Sequence, residues 1–472
     1  MHTTTTFNKI TPAFIDQLSA LLGKDSVYTE ADRLEKHARD FCKDLYFLPE
    51  VVVIPSNVQE VSTVLALCNE HMIPLTVQGA RSGLTGSALP VHGGVALSME
   101  RFDKILEIDE KNYQVIVEPG VITEHLQNTL QEMGLFYPPD PAGRGYSHIG
   151  GNIATNAGGP RCVKYGVTRD YVLNLEIVLA NGDVMWTGAN TLKNSTGYNL
   201  TQLITGSEGT LAVVTKIVLK LLPYPPFNLL MLALFQKAEE ACAVVADIFK
   251  SGVIPSSLEF MDRETIDYAV RYVGSSPFEI SSGYEAMLLI EVDGNNMELL
   301  QQDCEKIAQV LSQFHVGDIL FADSEAQKNE LWKLRRNAAN AISTLAYAMV
   351  TEDTVVPRTK LPELLSGVKK IGETFGLKTS NLGHIGDGNI HFSIISDEPV
   401  SDEWRVKSLE AKREIYKLVK SLGGMLSAEH GIGYLQKPFM DVFFSEAHLS
   451  ILRGIKKAFD PKGILNPSKV FD

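Results

Sequence analysis

Several classes of protein are excluded by what this chain has little of. Its 472 residues include five cysteines, Cys42, Cys68, Cys162, Cys242 and Cys304, which are far apart and form no CxxC pair. That argues against a disulfide scaffold, an iron–sulfur cluster or a thiolate zinc site, and fits reduced packing residues of a cytosolic protein. No apolar run approaches the roughly twenty residues that span a bilayer. Positive charge is scarce as well: 43 Lys and Arg against 57 Asp and Glu leave a formal charge of −14. Nucleic acid requires a basic footprint, and an anionic membrane surface attracts one, so neither is an expected partner. Met1 to Asp16 carries neither a basic region followed by an apolar run nor an arginine-rich amphipathic pattern, so no targeting peptide is expected.

What is present is globular. The composition is 44% hydrophobic and 21% charged, and the length suggests two or three domains. The first half reads as strand-rich. Val51–Ile54 is a short buried strand, Ser56 with Gln59 forms a capping box for a helix through His71, and Leu75–Val77 is the next strand. Val172–Leu179 and Val184–Thr187 flank an Asn181-Gly182 hairpin turn, and Leu211–Leu221 is a last long strand. Pro223-Tyr224-Pro225-Pro226 interrupts hydrogen bonding and marks a domain boundary. Beyond it, strands at 229–235, 257–261, 286–292 and 319–322 alternate with helices at 237–250 and 297–313. This predicts a small sheet with helices on one face. Further helices are expected at 361–375, 402–422 and 445–459.

Two segments of the first half have the composition of a phosphate cradle: Gln78 to Pro90, and Ser147 to Gly159. Glycine allows backbone amides to approach an anion, and successive amides create positive potential. Neither segment is a nucleoside triphosphate P-loop, since no Gly-Lys-Ser/Thr follows, and neither fits GxGxxG between a strand and a helix. The alternative reading is a pair of tight turns. In the second half, Gly383-His384-Ile385-Gly386-Asp387-Gly388-Asn389-Ile390-His391 and Ala428-Glu429-His430-Gly431-Ile432-Gly433 gather three imidazoles and a carboxylate. Such a set can hold a divalent cation and keep one imidazole as a base. Single histidines are also ordinary packed or surface residues, and HxxxxxxH is not a specific motif. Gly386-Asp387-Gly388 predicts a turn leading His391 into a strand. In that strand Ile390, Phe392 and Ile394 alternate, which places His391 and Ser393 on the opposite face.

Several of these motifs together resemble one family. They are Gly79 to Gly86, Pro119-Gly120-Val121, Pro138-Pro139-Asp140-Pro141, Gly150 to Gly159, Gly206-Ser207-Glu208-Gly209-Thr210-Leu211, both histidine motifs and Leu465-Asn466-Pro467. From about Val51 to Phe471 the chain is similar to the vanillyl-alcohol oxidase or p-cresol methylhydroxylase flavoprotein superfamily. Within it, the resemblance is to the FAD-linked D-2-hydroxyacid dehydrogenases and glycolate oxidase catalytic subunits. The implied fold is α+β, a two-domain flavoprotein with a vanillyl-alcohol-oxidase-type FAD-binding domain (1–223) and a smaller substrate or cap domain with an antiparallel sheet (224–430). The segment 431–472 returns to the FAD domain.

The resemblance implies roles residue by residue. Gly79, Ala80, Arg81, Ser82, Gly83 and Thr85 would wrap the FAD pyrophosphate. Ser147, Gly150, Gly151, Asn152, Ala154 and Asn156 would lie along the pyrophosphate and flavin, and Pro139 would also bind the cofactor. Gly209 and the following strand would border the cofactor on its adenine side, Glu208 would also bind the cofactor, and Asn466 would approach the flavin ring. The first loop lacks the histidine that often attaches flavin covalently in the superfamily, and Cys162 is the only nearby thiol, so FAD is expected to be non-covalent. His384, His391 and Glu429 would hold a divalent metal, zinc in the usual assignment, and His430 would be the base. A 2-hydroxy acid can chelate such a metal, and imidazole ionises near working pH, so proton removal and hydride transfer to flavin would give the 2-keto acid.

In Leu331-Trp332-Lys333-Leu334-Arg335-Arg336, Arg335 matches the arginine that clamps the substrate carboxylate. Hydroxyglutarate-oxidising relatives often carry lysine, threonine and asparagine near Thr351, Ala339 and Ser393, so lactate, glycolate or a bulkier apolar acid is at least as plausible a substrate. The electron acceptor is open among a quinone, a cytochrome, an electron-transfer flavoprotein and oxygen, and a homodimer is compatible with the family. Expected localisation is cytoplasmic, or peripheral to a membrane through the acceptor. Two other readings are a flavin-binding subunit of a larger dehydrogenase and a metal-dependent hydrolase.

Overall fold

In the computed structural model, residues 6–42, 44–275 and 283–471 are described. The chain divides into two compact units. The first takes the residues up to Ala157, Val167–Tyr224 and Glu429 onward, and the second takes Gly158–Gly166 and Pro225–Ala428. Among the described residues no helix is long and apolar enough to cross a membrane.

The first unit holds two sheets. One has the strand order Val27–Tyr28, Val51–Val53, Val95–Ser98, Leu75–Gln78, with its last three strands parallel. Val51, Val52 and Val53 are each fully buried, as a continuous apolar run in a parallel sheet covered on both faces should be. The other is antiparallel, in the order Ile105–Asp109, Gln114–Val117, Val213–Lys220, Val172–Val178, Val184–Trp186. Helix Val58–His71 buries Val61, Val64, Leu65 and Cys68, spaced by three and four as one face demands.

Its cap differs from the sequence reading. The N-cap is Asn57, whose side chain accepts from the Glu60 amide at 3.0 Å, while Glu60 reaches back to the Ser56 amide at 2.7 Å. Asn is as strong a cap as Ser, and Glu60 rather than Gln59 completes the reciprocal pair. Pro223 also departs from expectation, because Leu222–Pro223 pairs with Leu135–Phe136 in a short ladder. The second glycine segment contains a helix, Ile149–Thr155, ended by Asn156 in the left-handed conformation. Near the C-terminus, Leu465 bridges Leu75 in parallel.

The second unit is built on one seven-stranded antiparallel sheet. Its order is Val316–Phe321, Phe227–Phe235, Ala286–Gly294, Ser257–Asp262, Lys378–His384, Asn389–Ser396, Ala348–Val355. The expectation of a small sheet with helices on one face is corrected here, since Leu230 to Phe235 are buried without alternation and both faces are therefore covered. On one face Leu230, Leu232 and Leu234 pack with Ile266 and Ala269 of helix Arg263–Val273 and with Leu334, Ala338 and Ile342 of helix Glu325–Leu345. On the other, Ile394 packs on Ala411, and Phe392 lies edge-on to Tyr416, both in helix Asp402–Ser421. The alternation expected from 389 to 395 holds: Ile390, Phe392 and Ile394 are fully buried on one face while His391 and Ser393 point to the other.

Candidate functional site

In the first unit, strand Leu75–Gln78 runs directly into the first glycine loop. That loop meets the second: a Cβ placed on Gly79 would stand 3.7 Å from the Gly151 amide nitrogen and 3.7 Å from His148 Cβ. At Gly83 and Gly151 a Cβ would meet no heavy atom within 4 Å. Open space beside bare backbone is what a bulky anion needs in order to reach amide donors. Gly150 and Gly209 serve packing instead, since Cβ atoms there would approach Pro119 Cβ to 2.5 Å and Val77 Cγ1 to 2.6 Å.

Arg81 lies in this region with φ +57, its pKa lowered by burial. Two histidines unmarked by the sequence reading accompany it. His37 Nδ1 lies 2.6 Å from Gln78 Oε1 and 3.4 Å from Arg81 Nη1. His148 Nδ1 is buried without a hydrogen-bond partner, and burial together with the Arg81 charge lowers its pKa. The donors converging here fit the phosphates of a dinucleotide.

Eight of the other expected cofactor residues in this unit have protein partners. Thr85 Oγ1 is 2.9 Å from Ser87 Oγ. Ser147 Oγ and Asn152 Nδ2 both meet Thr123 Oγ1, at 2.9 and 2.7 Å. Asn156 Oδ1 accepts from the Arg169 amide, the Pro139 carbonyl accepts from Gln127, and the Ala154 carbonyl accepts from the Glu208 amide. Asn466, at φ +44, donates to the Ser87 and Glu208 carbonyls. The Glu208 carboxylate accepts from the Ile432 and Gly433 amides at 2.7 and 2.8 Å. Glu429 and His430 belong to this unit, with His430 Nε2 3.8 Å from Glu429 Oε1.

In the second unit, the sheet aligns four polar side chains on the face shared with helix Glu325–Leu345. His384 ends one strand and His391 lies in the next, with Leu382 paired to His391. Their rings are 5.5 Å apart and nearly perpendicular, at 88°. Each imidazole faces a carboxylate through Nδ1. His384 is 2.8 and 2.9 Å from the two oxygens of Glu259, across the Glu259–His384 register pair, and His391 is 3.5 Å from Asp353 Oδ1, across the Asp353–His391 pair. The carboxylate hydrogen-bonded at His384 Nδ1 fixes the tautomer that presents a lone pair at Nε2, the usual arrangement behind a metal-bound histidine, while Asp353 stands beside His391 at ion-pair distance only. The donor chemistry therefore fits a divalent cation.

Asp353 is held in turn by Asn389 Nδ2 and Ser427 Oγ, and by the amide of Ala428, the residue that precedes Glu429. Arg335 is buried, with Nη2 2.7 Å from Glu259 Oε2 and an Nε–H that has no hydrogen-bond partner. Such an N–H calls for an acceptor. Glu259 and Asp353 escaped the sequence reading. The available signal was a lone acid in the apolar strand Ser257-Leu258-Glu259-Phe260-Met261, and a pair of acids in Thr351-Glu352-Asp353-Thr354.

Comparison with known proteins bears on both units. Residues 49–188 match a family described as FAD binding domain, and residues 224–470 match FAD linked oxidases, C-terminal domain. The chain belongs to the FAD-linked oxidases. It is 38% identical over 429 residues to the glycolate oxidase subunit GlcD of Bacillus subtilis, covering 90% of this chain and 89% of that one. It is 35% identical to a D-lactate dehydrogenase of Anaerostipes hadrus, covering 98% of each. It is 32% identical to a D-2-hydroxyglutarate dehydrogenase of Stutzerimonas stutzeri, covering 98% of this chain and 99% of that one. The solved p-cresol methylhydroxylase has the same fold, with TM-score 0.77, 19% identity, and coverage of 97% of this chain and 96% of that one. This FAD-linked oxidase is thus a two-domain flavoprotein oxidoreductase with the fold that the sequence motifs implied.

Proposed function

We propose that this FAD-linked oxidase converts a small D-2-hydroxy acid to its 2-keto acid. The observation that carries the proposal is the pair of buried carboxylate–imidazole couples, Glu259–His384 and Asp353–His391, on one sheet face beside the buried Arg335. Bound FAD supplies the hydride acceptor, and a divalent cation such as zinc supplies a Lewis acid for the substrate hydroxyl. His384, His391 and Glu429 would hold the cation. His430 takes the hydroxyl proton, and the Arg335 guanidinium orients the substrate carboxylate. The names of the three relatives support the substrate class, since each denotes action on a 2-hydroxy acid.

Ser393 and Thr351 on the same face of the sheet, and Ala339 in helix Glu325–Leu345, bear on size within that class. Ser393 donates to Thr351 Oγ1 at 3.0 Å. With alanine at 339, these three positions offer no cation for a second carboxylate, which favours a short monocarboxylic acid such as lactate or glycolate. An external acceptor must reoxidise the flavin. Because the Bacillus relative is named a subunit, a catalytic subunit of a larger dehydrogenase is the second reading. The test is protein loaded with FAD and zinc, assayed with an artificial electron acceptor against a panel of D- and L-2-hydroxy acids. Formation of 2-keto acid from D-acids supports the proposal, and silence across the panel refutes it.

A further inference from the structure

We propose that Glu208 is a positioning residue whose carboxylate sets the backbone of the turn that follows His430. The inference rests on the assignment of His430 as the base. Glu208 is 5% exposed and sits at φ +53 in Gly206-Ser207-Glu208-Gly209, a conformation that non-glycine residues adopt rarely and at a cost. Its Oε1 accepts from the Ile432 amide at 2.7 Å, and its Oε2 accepts from the Gly433 amide at 2.8 Å and from the Ser87 hydroxyl.

The turn is wrapped around this carboxylate. Gly431 has φ +82, and a Cβ there would stand 2.9 to 3.1 Å from the carboxylate atoms of Glu208. Gly433 has φ +52, and its Cβ would come within 2.3 Å of the Thr85 carbonyl. Only glycine at both positions lets the backbone close so tightly.

The same loop that supplies Ser87 pins the other side of the turn. Thr85 Oγ1 donates to the His430 carbonyl at 3.4 Å, and the Thr85 carbonyl accepts from the Tyr434 and Leu435 amides at 2.8 and 3.1 Å. The C-terminal tail adds the Val470 amide on the Gly433 carbonyl at 2.9 Å. His430 therefore has its carbonyl and the second and third amides after it held, while its side chain remains a quarter exposed. Burial raises the Glu208 carboxyl pKa, and the Ser87, Ile432 and Gly433 donors with the nearby Lys469 charge oppose that rise. A carboxylate placed at this cost serves the local backbone conformation, and the imidazole one peptide away depends on it.

The test compares Glu208→Gln and Ser87→Ala with the wild type in FAD-loaded protein. Glutamine offers one oxygen where the turn uses two and brings an amide N–H2 towards a second donor. Expected for Glu208→Gln are faster hydrogen exchange at the Ile432 and Gly433 amides and a kcat lower by roughly 10–100-fold, as loss of a charge-assisted hydrogen bond implies. KM should stay within about threefold, since the interaction does not bind substrate. Ser87→Ala keeps the carboxylate and should show the same split on a smaller scale, so the question survives if glutamine prevents folding. Unchanged exchange overturns the clamp. Fast exchange with wild-type kcat overturns the positioning role, as does a loss of activity that tracks lost FAD. His430→Ala is run in parallel: full activity there refutes the base assignment and the positioning role with it, while the exchange result still reports on the clamp.

Discussion

Replacing Glu259 by glutamine separates the contribution of the buried face to stability from its proposed role in metal binding. Glu259 is fully buried between Leu258 and Phe260, which are also buried, so water cannot substitute for its charge. Both of its oxygens are used: His384 Nδ1 lies 2.8 and 2.9 Å away, and Arg335 Nη2 2.7 Å away. Glutamine is nearly isosteric but neutral, and one amide oxygen cannot serve both donors. Arg335, 7% exposed, is left as a buried charge without this counter-ion. Breaking such a pair from one side costs about 3–5 kcal/mol. Weakening the carboxylate behind a metal-bound imidazole costs about 10–100-fold in metal affinity. Chemical unfolding of metal-stripped protein should show the first effect, and competition against a chelator the second. A stability loss under about 1 kcal/mol with unchanged metal affinity would rule out both roles for Glu259. Loss of stability alone would leave Glu259 as the partner of Arg335 and remove its role behind the metal.

Five further substitutions have expected outcomes. His391→Ala loses metal in elemental analysis, whereas His430→Ala keeps metal and FAD but loses flavin reduction; the reverse pattern would exchange their roles. Gly151→Val, at a position where a Cβ meets nothing within 4 Å, leaves apoprotein stability within about 1 kcal/mol yet weakens FAD binding in a flavin titration. Gly150→Ala, 2.5 Å from Pro119 Cβ, instead lowers apoprotein stability by about 1–3 kcal/mol through overpacking. Burial raises the Asp40 carboxyl pKa to about 6, and its Oδ2 has no partner. A pKa raised on folding means that its stabilising contribution is complete below about pH 4 and lost as pH rises through 6. Asp40→Asn should therefore stabilise the protein above pH 7, by up to about 3 kcal/mol, and give no gain below pH 4 in matched unfolding curves.

The sequence made local features legible. Alternation at 390, 392 and 394 and the glycines around Asp387 placed His391 in a strand after a turn, because both signals act within a few residues. The Asn57 cap lay one residue from the predicted Ser56, since Ser, Asn, Gln59 and Glu60 stand together and local preference separates them poorly. Helix Ile149–Thr155 was hidden because glycine has low intrinsic helix propensity, whereas close contact of Gly150 with Pro119 requires it there. The carboxylates behind the histidines were beyond reach for a different reason. Glu259 lies 125 residues before His384 and meets it only through strand register, which no local pattern encodes. Coverage of both sheet faces likewise depends on where distant helices return.

The proposed reaction passes a hydride from C2 of a D-2-hydroxy acid to the bound flavin. Anaerobic stopped-flow mixing of FAD- and zinc-loaded protein with D-lactate, its C2-deuterated form and L-lactate, alongside the same series for other short acids, follows that transfer at the flavin. The flavin should be bleached by D-acid, more slowly by the deuterated acid, and not by the L-enantiomer. An oxidised flavin spectrum that persists with every acid, or equal bleaching by both enantiomers, would contradict that reaction.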